Sequence, residues 1–82
     1  MKTCGVCEGY FDKIEVAIIK LTGTLKVGER IIFEKIDGLF EQKVESMQIN
    51  RKDVKRAKAG SDIGLKVAMK PNVGTTVYKV IQ

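Results

Sequence analysis

Residues 30–49 read RIIFEKIDGLFEQKVESMQI, and this stretch decides the fold. In its first part, Ile31 and Phe33 alternate with other residues in the period of two that is typical of a β-strand. Asp37-Gly38 then predicts a tight hairpin turn, because glycine accepts the positive φ that such turns require. The stretch is therefore interpreted as two antiparallel strands joined by a short turn.

The second strand of this hairpin, over residues 40–49, changes phase part of the way along. Phe40 and Val44 lie on one face, whereas Met47 falls on the opposite phase. A β-bulge near residues 45–46 would return both apolar sets to the core and bend the strand. A strand that contacts apolar neighbours on both faces is the alternative.

Short apolar runs separated by glycine-containing turns continue on both sides of the hairpin. They predict further strands over residues 3–10, 15–21, 62–68 and 75–81. The strand over 15–21 is apolar on both faces, which is typical of a central strand or of one that crosses a barrel seam. Residues 50–59 are polar and basic, and they predict a connecting loop with at most one helical turn. The predicted fold is all-β, a small closed six-stranded β-barrel, because closure removes open sheet edges.

Length and composition indicate one domain over residues 1–82 with a single hydrophobic core. The 44% hydrophobic and 30% charged fractions are typical of a soluble globular protein. No apolar run approaches the ~18–20 residues that a membrane span requires. The N-terminus has no apolar signal core, so we expect a cytoplasmic protein without a membrane partner.

The net charge of +5 is unevenly distributed along the chain. Residues 1–50 carry seven Lys/Arg against eight Asp/Glu, and residues 51–82 carry eight against two. Such asymmetry favours an anionic partner, either nucleic acid or an acidic surface, although a solvated turn that aids solubility is the alternative. Basic residues of this second part are the candidates for RNA binding, because Lys and Arg supply most sequence-independent affinity for phosphate. They are Arg51, Lys52, Lys55, Arg56, Lys58 and Lys66.

The sequence offers little catalytic chemistry. It contains no histidine, so acid–base catalysis near neutral pH would need a strongly shifted carboxylate, lysine or cysteine. It has no phosphate-binding loop of the P-loop type, and its acidic residues form no evident acid–base pair. We predict that the chain is not an enzyme and that it has no catalytic, nucleotide or cofactor site.

Cys4-Gly5-Val6-Cys7 is the one motif that suggests redox or metal chemistry. A redox pair normally opens a helix, and none is predicted here. A zinc site needs four ligands, and this chain offers two. In a regular strand the two thiols point to opposite faces, so we expect one in the core and one near the surface. A metal bridging two copies of the chain is the remaining alternative, and otherwise no metal is predicted.

Two turn motifs, LKVGERI at residues 25–31 and AKAGSDIG at residues 57–64, resemble a known pattern. Together with residues 10–17 and 40–49 they are similar to the second domain of translational GTPases, the β-barrel of elongation factor Tu and initiation factor 2. The similarity covers nearly the whole chain. It extends to free-standing elongation-factor-like barrels and to the C-terminal barrel of some collagenase-like peptidases. The resemblance implies a closed barrel of the translation-factor domain 2 type.

In that family the barrel contacts ribosomal RNA and the acceptor end of aminoacyl-tRNA, so the resemblance implies an RNA-facing surface. The nucleotide-binding domain of the GTPases is missing, and GTP hydrolysis is not expected. We therefore predict a non-catalytic, translation-related binding module whose basic loop binds ribosomal or transfer RNA or the ribosome. Tyr10 and Phe11 are either a stacking face for bases or part of the core. The alternative function is a protein-interaction module that docks onto a separately encoded GTPase or peptidase-like partner.

Overall fold

The computed structural model describes residues 2–81, and in that range it contains ten β-strands and no helix. The strands are β1 (Lys2–Phe11), β2 (Val16–Leu21), β3 (Leu25–Lys26), β4 (Arg30–Lys35), β5 (Gly38–Lys43), β6 (Met47–Ile49), β7 (Lys52–Val54), β8 (Arg56–Ala57), β9 (Asp62–Lys66) and β10 (Thr76–Lys79). The predicted all-β class is confirmed. Nowhere between residues 2 and 81 is there a helix long and apolar enough to cross a membrane.

Eight strands form one antiparallel sheet in the order β5-β4-β10-β1-β2-β9-β6-β7, and β3 pairs with β8 in a separate ribbon. Over the described residues neither sheet closes, so the prediction of a closed six-stranded barrel is wrong. A side chain bridges the gap between β5 and the end of β9. Gln42 Nε2 donates to the Lys66 carbonyl at 3.0 Å, and the Ala68 N–H donates to Gln42 Oε1 at 3.0 Å. These bonds run through one side-chain amide and do not extend the backbone ladder, and the edge strands of the sheet are β5 and β7.

The predicted hairpin between β4 and β5 is present. Its two-residue loop is Ile36-Asp37, one residue earlier than the sequence indicated. Gly38 follows this loop with a φ of 141°, a conformation that residues with a side chain rarely adopt. Beyond the turn, Phe33 packs against Phe40 with their ring centroids 5.5 Å apart.

The strand predicted over residues 40–49 is interrupted between β5 and β6 instead of being bulged. In the interruption, the Val44 N–H donates to the Glu29 carbonyl at 2.8 Å, and the Val44 carbonyl accepts from the Gly28 N–H at 2.8 Å. The chain here leaves β4 and moves to β9, which is the physical reason for the break. Val44 and Met47 are both buried, as the change of phase predicted.

Residues 50–59 do not form the predicted connecting loop, because they contain β7 and β8. Asn50 and Arg51 make a two-residue turn between β6 and β7, with φ values of 52° and 65°. Positive φ at both central residues is typical of a type I′ turn, whose twist matches that of the paired strands. The prediction failed because Asn-Arg replaces the Asn-Gly or Asp-Gly pair that usually marks this turn.

One hydrophobic core lies against the main sheet and the β3-β8 ribbon. It comprises Cys4, Cys7, Ala17, Ile19, Leu21, Leu25, Ile31, Phe33, Val44, Met47, Ala57, Ile63, Leu65, Val67 and Val77. The alternation predicted around β9 is confirmed, since Ile63 and Leu65 are buried and Lys66 is exposed. Burial of this apolar surface is the main force that stabilises the packing of the main sheet and the ribbon around the core.

The register of β1 is irregular at two points, between Thr3 and Gly5 against β10 and between Cys7 and Gly9 against β2. Each irregularity places one extra residue on β1 and breaks the strict alternation of its side chains. The first irregularity falls at Cys4 and lets this residue and Cys7 both face the core, where both are buried. The prediction that one of the two thiols lies near the surface is therefore wrong.

β1 and β2 approach each other closely at Gly5. A Cβ at this position would lie 2.7 Å from the Lys20 carbonyl oxygen and 2.8 Å from Ile19 Cγ2, so only glycine fits. At Gly9, in the same strand, an added Cβ would meet no heavy atom within 4 Å. The two glycines of β1 are therefore under different steric constraints.

Candidate functional site

An apolar groove of about 420 Å³ crosses the outer face of β2, β9 and β6. Val16 and Ile18 of β2 line it, and Gly64 of β9 pairs with Ile18 in the sheet. A Cβ added at Gly64 would lie 3.4 Å from Val16 Cγ1, so a larger side chain there would occupy the groove. The groove therefore exists because β2 is apolar on its outer face and β9 has a glycine beside it.

Phe11 and Ile14, from the connection between β1 and β2, also line this groove. Their exposed fractions are 55% and 58%, which is high for apolar side chains of this size. Exposed apolar residues grouped around a groove are typical of a binding surface. The signal for this site was present in the sequence as the apolar outer face of residues 15–21. Sequence analysis interpreted that face only as a sign of a central strand, which β2 is.

The polar residues around the groove differ in how their charges are balanced. Asp62 pairs with Lys20, with 3.8 Å between Oδ2 and Nζ, and Gln48 Nε2 donates to Asp53 Oδ1 at 3.1 Å. Arg51 lines the groove at the β6-β7 turn and has no ion-pair partner among residues 2–81. Arg51 therefore places an unpaired positive charge at this end of the groove.

Tyr10 and Phe11 differ too much in exposure to form a paired stacking face. Tyr10 is half-buried and packs against the core, whereas Phe11 is mostly exposed. Loss of hydration raises the pKa of the Tyr10 hydroxyl, and the carboxylates of Glu15 and Asp12 raise it further. Asp12 and Glu15 therefore lie close enough to Tyr10 to affect its hydroxyl, although none of the three lines the groove.

The basic residues predicted to bind RNA are all exposed, and they do not all line one cavity. They are Arg51, Lys52, Lys55, Arg56, Lys58 and Lys66. A second pocket, of about 400 Å³, brings Arg56 and Lys58 together, and neither of them lines the groove beside Arg51. The other three residues line neither of these two cavities. Their role in RNA binding stays a prediction.

The two cysteines have the environment of structural thiols. Burial raises the pKa of Cys4 to about 11 and also raises that of Cys7, so both are protonated near neutral pH. Cys7 Sγ donates weakly to the Gly9 carbonyl at 3.5 Å. A buried, protonated thiol is a poor nucleophile and a poor metal ligand. In the described part of the chain no group of three or more His, Cys, Asp or Glu side chains is placed to hold a metal.

The fold and the cavities together define an all-β protein with an apolar groove and a separate basic pocket. No family model matches the chain. It is 43% identical over 75 residues to an uncharacterised protease of Methanocaldococcus jannaschii. The match covers 90% of this chain but 18% of the protease, so the chain spans about a fifth of that relative's length.

Among solved structures, the chain is similar to the C-terminal domain of a Geobacillus thermoleovorans protein named as a U32 peptidase. The TM-score is 0.87 at 16% identity, over 98% of this chain and 93% of that one. The selenomethionine variant of the same domain gives a TM-score of 0.84, over 98% and 100%. These similarities agree with the collagenase-like peptidase part of the sequence resemblance. They give no support to the translational GTPase part, or to an RNA or ribosome partner.

Proposed function

We propose that this chain is a non-catalytic interaction domain that docks onto a peptidase-like catalytic domain through the apolar groove. The observation that carries the proposal is the 43% identity to a stretch that makes up 18% of a protease. In that relative, the matched stretch is accompanied by a much larger remainder of the same polypeptide. A small domain in that setting has a large neighbouring surface with which to pack.

The groove has the properties that such packing requires. Its exposed apolar side chains, Phe11 and Ile14, stand beside a floor built on an interior strand of the sheet, which holds that floor rigid. Protein interfaces typically have an apolar centre and a polar rim. Val16 and Ile18 supply such a centre here, and Arg51 supplies a charge at the rim.

Catalysis is better assigned to the partner than to this chain. The chain has no histidine, and burial keeps both of its thiols protonated. A peptidase needs an activated nucleophile or an activated water at an accessible position. The proposed role is therefore to bind or position a catalytic domain.

Thiol footprinting in a whole protease tests this proposal. The chain replaces the matched stretch of the Methanocaldococcus jannaschii protease, and an Ile14→Cys substitution reports on the groove through its rate of reaction with a maleimide. Docking should slow labelling about tenfold or more relative to the isolated chain, because an interface centre excludes solvent and reagent. Cys4 and Cys7 contribute little background, since both are buried and protonated.

Two variants make the footprint specific to the groove. Phe11→Asp in the same chimera should restore fast labelling of Ile14→Cys, because a charge in an apolar interface disfavours docking. Ile36→Cys is the matched control, since Ile36 is 95% exposed on the β4-β5 turn and should react equally fast with and without the partner. Equal labelling of Ile14→Cys in the chimera and the isolated chain would refute the proposal. Slowing by structured RNA instead would restore the RNA interpretation.

A further inference from the structure

The pocket at the β3-β8 ribbon has a lining of cations and hydroxyls. Thr24, Arg56, Lys58 and Ser61 surround an apolar floor of Ile49 and Ala57, and no carboxylate lines the pocket. Its volume is about 400 Å³. It shares no residue with the apolar groove, so it is a separate site.

Backbone hydrogen bonds hold the polar residues of this pocket in place. The Leu21 N–H donates to the Ser61 carbonyl at 2.9 Å, and the Gly60 N–H donates to the Leu21 carbonyl at 2.9 Å. The Ser61 N–H donates to the Lys58 carbonyl at 3.2 Å, and Gly60 takes the φ of 94° that this tight turn needs. Ala57 pairs with the buried Leu25, which fixes the ribbon against the core.

The ribbon also holds two like charges directly opposite each other. Lys26 pairs with Arg56 across β3 and β8, and both are exposed. Like charges in this position destabilise a strand pair. The carboxylate of Glu29 is already engaged, since it accepts from the Lys26 N–H at 2.7 Å and lies 3.5 Å from Lys79 Nζ. Neither Lys26 nor Arg56 has an ion-pair partner among residues 2–81, and an anion in the pocket would offset the charge of Arg56, the one of the two that lines it.

We infer that this pocket binds the phosphate group of an organic phosphate. Arg56 and Lys58 supply two positive charges, and the hydroxyls of Thr24 and Ser61 supply further donors. These four side chains can all donate hydrogen bonds, and two of them are positively charged. A phosphate has three or four oxygens and a double negative charge, so it matches this set better than a carboxylate, which has two oxygens and one charge. The volume left over, with its apolar floor, accommodates the group that carries the phosphate. This inference does not depend on the proposed docking to a peptidase.

Nuclear magnetic resonance titration of the ¹⁵N-labelled chain tests the inference, with inorganic phosphate as the first probe. Saturable shifts are expected at the amides of Ala57, Lys58 and Ser61, and they should weaken as NaCl is added. Arg56→Gln and Lys58→Gln should each reduce the affinity about tenfold, which corresponds to the loss of one charge-assisted hydrogen bond. Lys43→Gln, which removes an exposed charge from β5, is the matched control and should leave the affinity unchanged.

Further probes distinguish the sources of the phosphate and the competing anion. A single-stranded oligothymidylate and a mononucleotide are each compared with inorganic phosphate at the same amides. If the oligothymidylate binds more tightly, the source of the phosphate is a phosphodiester chain. If the mononucleotide binds more tightly, the source is a small phosphate ester. Either result supports a phosphate site. Shifts that do not saturate, an affinity that is unchanged in Arg56→Gln, or equal binding of acetate would overturn the inference.

Discussion

Two regions of the molecule are held in place by different interactions. One is the long ladder formed by β1, β2 and β9, and the other is the short-strand region formed by β3, β7 and β8. The ladder strands have five to ten residues, and their inner face supplies much of the core. The short strands have two or three residues each, and only Leu25 and Ala57 among them are buried. The apolar groove lies mainly on the ladder and reaches the β6-β7 turn at one end, and the basic pocket lies mainly on the short strands. Packing thus fixes the first surface, and turn geometry fixes the second.

Gly5→Ala tests how far packing controls the ladder. The new Cβ would meet the Lys20 carbonyl oxygen at 2.7 Å, and a backbone atom of a paired strand cannot move aside easily. We expect a loss of about 3 kcal/mol in the free energy of unfolding, measured by chemical denaturation. Gly9→Ala, which meets no atom within 4 Å, is the control and should change stability by less than about 0.5 kcal/mol. Equal losses in both variants would show that the close approach does not constrain the ladder.

The pH dependence of stability tests the burial of Cys4 in the same ladder. Burial raises the pKa of this thiol from 9.0 to about 11. Between pH 9.0 and about pH 11, the Cys4 thiol is deprotonated in the unfolded state but still protonated in the folded state. The free energy of unfolding therefore falls as the pH rises through this range. By pH 11, deprotonation of Cys4 should have lowered the free energy of unfolding by about 2 kcal/mol. Denaturation profiles of the native chain and of Cys4→Ala should therefore converge as the pH rises, and parallel profiles would contradict the assignment.

Arg51→Gly tests the short-strand region and should have the smallest effect. Arg51 holds a φ of 65°, a left-handed conformation that costs a residue with a side chain about 1–2 kcal/mol. Glycine removes that cost but adds entropy to the unfolded chain. We therefore expect the free energy of unfolding to rise by about 0.5 kcal/mol, measured by chemical denaturation. Arg51→Ala is the matched control, since it removes the same charge and keeps the strain. A gain of equal size in both variants would assign the effect to charge and not to the turn.

The sequence predicted those parts of the fold that depend on local pattern. Asp37-Gly38 located the β4-β5 hairpin to within one residue, and the change of phase between Val44 and Met47 marked the place where the chain changes its partner strand. Neither feature needed knowledge of distant residues. The all-β class followed from the same alternation.

The features that sequence analysis missed depend on contacts between distant segments. The β-ribbon at Lys26 and Arg56 joins residues thirty positions apart, and strands of two residues carry no periodicity. The closed barrel was predicted wrongly for a similar reason, because its closure depends on whether the distant edge strands β5 and β7 meet, and they do not pair. The burial of Cys4 depends on where β10 meets β1. The groove was indicated by the apolar outer face of β2, but it also needed Gly64 beside that face.

The position of β10 between β4 and β1 has a consequence for folding during synthesis. Of the ten strands, β1 leaves the ribosome first and β10 leaves it last. One edge of β1 therefore stays unpaired until β10 has been made. Until Thr76–Lys79 emerges, β4 and β5 form one group of paired strands, and β1, β2, β9, β6 and β7 form another. Pairings between segments so far apart in the chain form slowly, and their unpaired edges remain exposed in the meantime. Of the ten strands, the one translated latest is thus the one that joins the two groups of the sheet.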